Sequence, residues 1–265
     1  MNSLPIDLTQ YCIFDKLDFR TQIRFRQTCK RLNRTEIHNL YFHIHYSYLK
    51  KLSDRRLINF TKVKYLDARS NQKITNVNHM TKLQILDASG EKCEIDDNCI
   101  KNLNLINLNV SNNEKITNIN HMTKLQILYA SGYRCGIGDN GIKDRNLIKL
   151  NAYDNSKVTN VNHMTNLKIL DASYNCGIDD NGIKDLNLIE LNASDNPKIT
   201  NINHMNKLKT LYINGNCGVG DNGIKNLNLI DLNAFNNPKI TKKTMLIHAL
   251  EYSNDTKINS FYHLI

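Results

Sequence analysis

An eight-residue phrase, Lys73–Met80 (KITNVNHM), returns at Lys115–Met122 (KITNINHM), Lys157–Met164 (KVTNVNHM) and Lys198–Met205 (KITNINHM), with a degenerate copy, KITKKTM, from Lys239 to Met245. Between the copies a second phrase recurs at Ile95–Leu103 (IDDNCIKNL), Ile137–Arg145 (IGDNGIKDR), Ile178–Leu186 (IDDNGIKDL) and Val219–Leu227 (VGDNGIKNL). Two kinds of unit therefore alternate. Leu66, Leu86, Leu108, Leu128, Leu150, Leu170, Leu191, Leu211 and Leu232 mark one position in successive units, at steps of 20, 22, 20, 22, 20, 21, 20 and 21 residues. Such a period rules out an ordinary closed globule. Each unit is too short to bury its own apolar face and gains a core only by stacking on its neighbours.

The units follow L-x-x-L-x-A-x-x-N-x-x-I, as in Leu188, Leu191, Ala193, Asn196 and Ile199. This pattern resembles the leucine-rich repeat over roughly residues 55–250. The resemblance implies an α/β solenoid, a horseshoe of short parallel strands, here of about nine turns over residues 51–242. The L-x-A alternation predicts a strand with one face buried, and alanine in place of leucine at six or more strand positions predicts a tighter core than the family usually has. Asn71, Asn113, Asn155, Asn175, Asn196, Asn216 and Asn237 are expected to turn inward and bond backbone groups where the chain leaves the strand. Glu91 and Tyr133 replace Asn in the two 22-residue units, where a local bulge is expected. In the longer units an aspartate such as Asp180 or Asp221 is expected to cap one helical turn through Ile183 or Ile224. The ITNINHM units leave room only for an extended or 3₁₀ connection.

Residues pointing away from the core at the strands form the concave face. They include Tyr65, Asp67, Arg69, Asp87, Asn109, Tyr129, Lys149, Asn151, Tyr153, Asp171, Glu190, Asn192, Tyr212, Asp231, Asn233 and Phe235. Their mixed polarity and scattered aromatics suit an unidentified protein or peptide target better than a phosphate backbone, which selects a continuous basic stripe.

Residues 1–50 lack the repeat and read as two or three amphipathic helices. Leu4-Pro5-Ile6-Asp7-Leu8, then Ile13-Phe14-Asp15-Lys16-Leu17-Asp18, then Arg24 to Leu32 (RFRQTCKRL) resemble the F-box, with Leu32 where that pattern closes on Trp. The resemblance implies docking on a Skp1-like adaptor of a cullin-type ubiquitin ligase, with the repeats selecting the target. Leu4, Pro5, Ile13, Phe14, Leu17, Ile23 and Cys29 occupy the motif's apolar positions. The same helices also fit a plain cap over the first repeat, which would make the chain an interaction scaffold with no ubiquitin role. At the other end, residues 243–265 are expected to form a helical C-terminal cap through Met245, Leu246, Ala249 and Leu250.

The net charge of +10 is concentrated in residues 1–62, where 12 Lys+Arg face 5 Asp+Glu. Nucleic-acid binding along the whole molecule is therefore disfavoured. Arg20, Arg24, Arg26, Lys30, Arg31 and Arg34 fit either a solvated helix face or a patch for an acidic partner. Cys93, Cys135, Cys176 and Cys217 recur every second turn, about 9.6 Å apart at 4.8 Å per strand, whereas a disulfide needs Cα atoms within about 7 Å. A ladder of buried thiols in a reducing compartment is expected. No C-x₂₋₄-C pair is present for zinc, and His79, His121, His163 and His204 form a row that cannot close around one ion. No metal or other cofactor is expected.

Nor does any P-loop, G-x-S-x-G, H-E-x-x-H or G-x-G-x-x-G phrase point to catalysis. Met1–Gln10 lacks the plan of a signal peptide, and no stretch reaches the length of a membrane helix, so an intracellular, cytoplasmic protein without membrane contact is expected. Asparagine, at 41 residues, is the largest compositional excess. With heavy Ile and Lys use it matches an AT-rich genome, and together with the repeats and the F-box-like start it resembles proteins of giant DNA viruses and their amoebal hosts, where the host cytoplasm would be the site of action.

Overall fold

The structure is a computed structural model in which residues 52–58, 61, 63–242 and 244 are described. The helical segment expected over residues 1–50, and the C-terminal cap apart from Thr244, lie outside them.

Nine three-residue strands form one parallel sheet in strict sequence order. They are β1 (Tyr65–Asp67), β2 (Ile85–Asp87), β3 (Asn107–Asn109), β4 (Ile127–Tyr129), β5 (Lys149–Asn151), β6 (Ile169–Asp171), β7 (Glu190–Asn192), β8 (Thr210–Tyr212) and β9 (Asp231–Asn233). The marker leucines set the register, Leu66 opposite Leu86, Leu86 opposite Leu108, and so on to Leu211 opposite Leu232. Nine strands bound eight complete turns of a solenoid. In each strand the central leucine is buried while its two neighbours face the other side, as the period-2 pattern of a strand requires. Two residues on, Ala68, Ala88, Ala130, Ala152, Ala172, Ala193 and Ala234 also point inward, with Val110 and Ile213 in the remaining turns. The core is thus a continuous column, and it exists only through stacking.

The two unit types differ on the outer side. Longer units carry a single helical turn, α2 (Asp97–Ile100), α3 (Asp139–Ile142), α4 (Asp180–Ile183) and α5 (Asp221–Ile224), and α1 (Asp54–Leu57) precedes β1. One turn is below the length at which a helix is stable alone, so its partners decide it. Here the expected capping residue is displaced by one position. Asp179, not Asp180, is the N-cap of α4, and its carboxylate accepts the Gly182 N–H at 3.0 Å. The N-cap of α5 is Gly220, with no side chain to offer.

Asp180 and Asp221 are the first helical residues and work across the stack. Asp180 accepts the Thr200 N–H at 2.7 Å and the Thr200 hydroxyl at 2.5 Å. The same contact joins Asp54 to Thr75, Asp97 to Thr117 and Asp139 to Thr159, and Asp221 takes the Thr241 N–H. The recurring threonine of each KIT phrase is therefore a fastener to the unit before it.

The N-H-M part of the short unit fastens both ways. His79, His121, His163 and His204 place Nε2 2.9–3.2 Å from the carbonyls of Leu57, Ile100, Ile142 and Ile183, at the end of the preceding helical turn. Asn78, Asn120, Asn162 and Asn203 donate forward to the carbonyls of Asn98, Asn140, Asn181 and Asn222 in the next helical turn. The histidine row is structural, and among the described residues no His/Cys/Asp/Glu group could hold a metal ion.

Inside the bend, asparagine and cysteine alternate. Asn71, Asn113, Asn155, Asn196 and Asn237 are buried. Asn113, for example, donates to the Ala88 and Ile95 carbonyls at 2.8 and 3.1 Å and accepts the Lys115 N–H at 2.9 Å. Asn175 and Asn216, expected in the same ladder, are exposed. Asn175 donates to Asp154, and the Asn216 N–H binds Asp195. The inward place in their units belongs to Cys176 and Cys217, as it does to Cys93 and Cys135, all fully buried and unbridged. The one or two extra residues of the longer units explain the exchange: Cys176 follows Leu170 by six residues, whereas Asn196 follows Leu191 by five. Every unit turns through a positive φ four residues after its marker leucine; Gly90 and Gly132 hold that place in the 22-residue units, at φ 93° and 92°.

One residue breaks the column. Arg145 stands where the other long units have Leu103, Leu186 and Leu227, and it is buried with no hydrogen-bond partner for its Nε. An unsatisfied buried donor costs about 1–3 kcal/mol. Arg145→Leu is therefore expected to stabilise the solenoid by about 1–2 kcal/mol, read as a higher urea midpoint; an unchanged or lower midpoint would show that the guanidinium is well solvated or positively required.

Candidate functional site

The open concave face of the sheet is the surface on which exposed polar and aromatic groups gather. Three residues per turn reach it, the two that flank the buried leucine and the one two positions further on. The middle row is Asp67, Asp87, Asn109, Tyr129, Asn151, Asp171, Asn192, Tyr212 and Asn233. All were expected there, and the structure places them on one face.

Their side chains are pinned rather than loose. Asn109, Asn151, Asn192 and Asn233 each accept, through Oδ1, the backbone N–H two residues on, at 3.0–3.2 Å. Asp67, Asp87 and Asp171 do the same at 3.0–3.1 Å. One oxygen of each is therefore spent on its own backbone, and the other polar atom is aimed along or out of the face. Asn109 donates to Asp87 at 3.3 Å and Asn151 to Asp171 at 3.4 Å, linking neighbouring turns.

At the β1 end the face is closed by charge pairing. Asp67 is buried, with only 5% of its surface exposed, beneath the Arg69 guanidinium, whose Nη2 lies 2.7 Å from its carboxylate. Asp67 is thus directed to the concave side yet sealed from it, a correction to its expected free exposure. The carboxylate bond holds Arg69 firmly protonated, its pKa raised above the usual value. Arg69 and Tyr65 remain accessible, and burial followed by the charges of Asp67 and Asp87 raises the Tyr65 pKa.

Aromatic side chains form the middle of the face. Lys149 Nζ lies 5.7 Å from the centre of the Tyr129 ring, within the range of a cation–π contact. Tyr153 meets Tyr174, centroids 4.7 Å apart at 52°. Tyr174 has φ 60°, where the sister units place Gly90, Gly132 and Gly215. A bulky residue in the left-handed region is strained, and the contact with Tyr153 is what that position supplies.

The sequence reading missed the apolar part of this face. Ile85, Ile127 and Ile169 are the first residues of β2, β4 and β6 and are half-buried on the concave side. Ile148, Ile189 and Ile230, one residue before β5, β7 and β9, are 36–54% exposed. Alternation of the two unit types turns them into a zigzag along the entry edge of the sheet. The signal was present as the recurring phrases N-L-I, for Ile148, Ile189 and Ile230, and Q-I-L or K-I-L, for Ile85, Ile127 and Ile169, but the isoleucine reads as core until its register is known.

The described thiols are held in the protonated form. Burial pushes Cys93, Cys135 and Cys217 up to about 11 and Cys176 up to about 12, so the nucleophilic thiolate is scarce at neutral pH. Cys99 is pushed up to about 11 by burial and by its bond to Asp96. On the convex side, a cleft beside α3 is lined by Thr117, Asp139 and Lys157. Their polar groups are already bound, Asp139 to Thr159 and Lys157 to the Cys135 carbonyl at 2.8 Å. Among the described residues no helix is long and apolar enough to cross a membrane. The adaptor-docking set, Leu4, Pro5, Ile13, Phe14, Leu17, Ile23 and Cys29, lies outside the described residues.

No curated protein matches the chain by sequence. Among solved structures it is similar to the functional domain of InlJ from Listeria monocytogenes, described as including a cysteine ladder, at 23% identity and TM-score 0.44 over 70% of this chain and 47% of that one. It is similar to the internalin InlF of Listeria monocytogenes strain 4b F2365 at 19% identity and TM-score 0.44, over 72% of this chain and 66% of the other. A chain of the yeast Rad7–Elc1 complex is similar at 16% identity and TM-score 0.33, over 85% of this chain and 90% of its own. The present chain spans about half the length of the InlJ domain and just under two thirds of InlF. Residues 1–42 match the F-box domain, so that in this chain an F-box-matching segment precedes a parallel-stranded solenoid of the leucine-rich-repeat type.

Proposed function

We propose that this protein is an adaptor, the substrate receptor of a Skp1–cullin–F-box-type ubiquitin ligase. Residues 1–42 dock on a Skp1-like protein through Leu4, Pro5, Ile13, Phe14, Leu17, Ile23 and Cys29, and the concave face of the solenoid holds the target. The observation that carries this reading is the order of the two parts, an F-box match followed by a rigid, curved sheet face with pinned polar and aromatic groups. The chemistry assigned to the chain is recognition alone: it brings a target beside the ligase and contributes no catalytic residue. Such a receptor acts inside the cell, where the ligase machinery is found. The reduced, buried state of the described cysteines fits that setting.

The test is co-expression of the full chain with Skp1 and capture of the pair. The wild-type chain is expected to retain Skp1 in equimolar amount, and the Ile13→Asp/Phe14→Asp variant to lose it by more than tenfold. A concave-face variant, Tyr212→Ser, is expected to retain it. Failure of the wild type to hold Skp1, or retention by the Ile13→Asp/Phe14→Asp variant, overturns the reading and leaves the N-terminal helices as a plain cap.

A further inference from the structure

Tyr129 on β4 and Tyr212 on β8 hold the same place in their units, the last residue of the strand. What flanks them differs. In register each tyrosine lies between two asparagines, but the neighbouring strands begin two residues earlier with Asn107 and Lys149, diagonal to Tyr129, and with Glu190 and Asp231, diagonal to Tyr212. Around Tyr129 the chain supplies its own cation, since Lys149 stands over the ring. Around Tyr212 two carboxylates occupy that ground, and among the described residues no cation pairs with them. Among the described residues the ion pairs are Arg69 with Asp67 and Asp87, Lys115 with Glu94, and Arg134 with Glu91. Neither Glu190 nor Asp231 belongs to one. Lys209, the nearest cation in sequence, donates instead to the Asn228 carbonyl at the sheet edge. Burial, then the charges of Asp231 and Glu190, raise the Tyr212 pKa, so both carboxylates are felt at the ring.

Exposed apolar groups stand at the margins of this polar ground. Ile189 and Ile230 precede the two acidic residues and are 43% and 54% exposed, and Phe235, just beyond β9, is 53% exposed. Glu190 and Asp231 are two strands apart, about 9.6 Å by sheet geometry, with Thr210 between them in register and Tyr212 two residues further along the same face.

We propose that strands β7–β9 of the concave face are a docking surface for a basic segment of the target protein, with one arginine side chain seated on Tyr212 and its guanidinium reaching Glu190 and Asp231, which stand diagonally on the strands to either side. The inference rests on the receptor reading in taking the concave face as the target side. Charge complementarity selects the occupant. A planar guanidinium stacks on an aromatic face and offers several donors in one plane, which suits two carboxylates on the strands to either side of the ring; an ammonium is a single compact point of charge. Ile189 and Ile230 then cover apolar residues flanking the arginine, and their burial excludes water from the charged contact.

The test uses the full chain and a fluorescein-labelled peptide, Gly-Ser-Leu-Arg-Leu-Ser-Gly, followed by fluorescence anisotropy beside the same peptide with glutamine or lysine in place of arginine. The arginine peptide is expected to bind at least tenfold more tightly than the glutamine peptide and more tightly than the lysine peptide. That preference is expected to vanish in Glu190→Gln/Asp231→Asn and in Tyr212→Ser and to persist in Lys149→Gln, with all variants keeping the wild-type urea midpoint within error. Equal binding of the three peptides, or an arginine preference that survives Glu190→Gln/Asp231→Asn, overturns the proposal. Skp1 capture by the same preparations separates the two readings. A chain that holds Skp1 but shows no arginine preference removes only the arginine seat, whereas arginine preference in a chain that fails to hold Skp1 removes the receptor reading.

Discussion

Replacing Asn155 by alanine is expected to cost the solenoid about 3 kcal/mol, while the same replacement at Asn175, twenty residues along the same repeat, costs less than about 0.5 kcal/mol. The two residues look alike in sequence, each five positions after a marker leucine. In the structure Asn155 is buried and its amide donates to the carbonyls of Ala130 and Ile137 at 2.8 and 3.0 Å, while its oxygen accepts the Lys157 N–H at 3.0 Å. Those carbonyls belong to the preceding unit, so one side chain ties two turns together. Alanine would leave buried backbone groups without partners at the place where the chain bends, and each such group costs about 1–3 kcal/mol. Asn175 is exposed and has one side-chain bond, to Asp154 at 3.0 Å. Its loss is made good by water. Urea unfolding followed by far-ultraviolet circular dichroism measures both, and similar shifts for the two variants would show that the inward ladder does not alternate as described.

That contrast also marks how far the sequence could be read. Strand positions and register followed from Leu66 to Leu232 because a leucine at a fixed period admits one pairing. Inserting one residue defeats the same argument further along the unit: Cys176 displaces Asn175 from the inner position, and no count of residues from Leu170 says which of two adjacent side chains turns in. The left-handed residue does not decide it either, since Asp154 and Asp195 hold the same place as Tyr174 and precede inward asparagines; the extra residue between the marker leucines does. Asp180 failed as a cap for a related reason. Asp179 and Asp180 both suit a helix start, and the choice depends on Thr200 in the next unit waiting for the second carboxylate. On the concave face the polar rows followed from alternation, since a residue beside a buried leucine must point away from it. Ile127, Ile169 and Ile189 were passed over because apolar side chains are assigned to a core by default, and only stacking shows that this core is already filled by leucine and alanine.

The ladder thiols make the fold sensitive to alkali. In the folded chain burial pushes Cys93, Cys135 and Cys217 up to about 11 and Cys176 up to about 12, against 9.0 for an ordinary thiol. All four are within 1% of complete burial. Above pH 9 the unfolded chain therefore releases protons that the folded chain retains, and stability falls as pH rises. It is intact below about pH 9 and is lost progressively as the pH climbs toward the folded values of 11 to 12. Because one unit of pKa corresponds to about 1.4 kcal/mol, four thiols together remove on the order of 5 kcal/mol between pH 8 and pH 10. Set against a typical total stability of about 5–15 kcal/mol, that loss brings the solenoid close to its unfolding midpoint. The expected result is a urea midpoint that drops steeply over this interval. The Cys135→Ala/Cys176→Ala variant starts lower at pH 8, because two cavities replace two thiols, but its further drop to pH 10 is about half that of the wild type. Cavities do not titrate, so the difference in slope isolates the thiols from their packing. If the double variant falls by the full wild-type amount, the alkaline loss belongs to other groups and the cysteine column is no more than filler for the core.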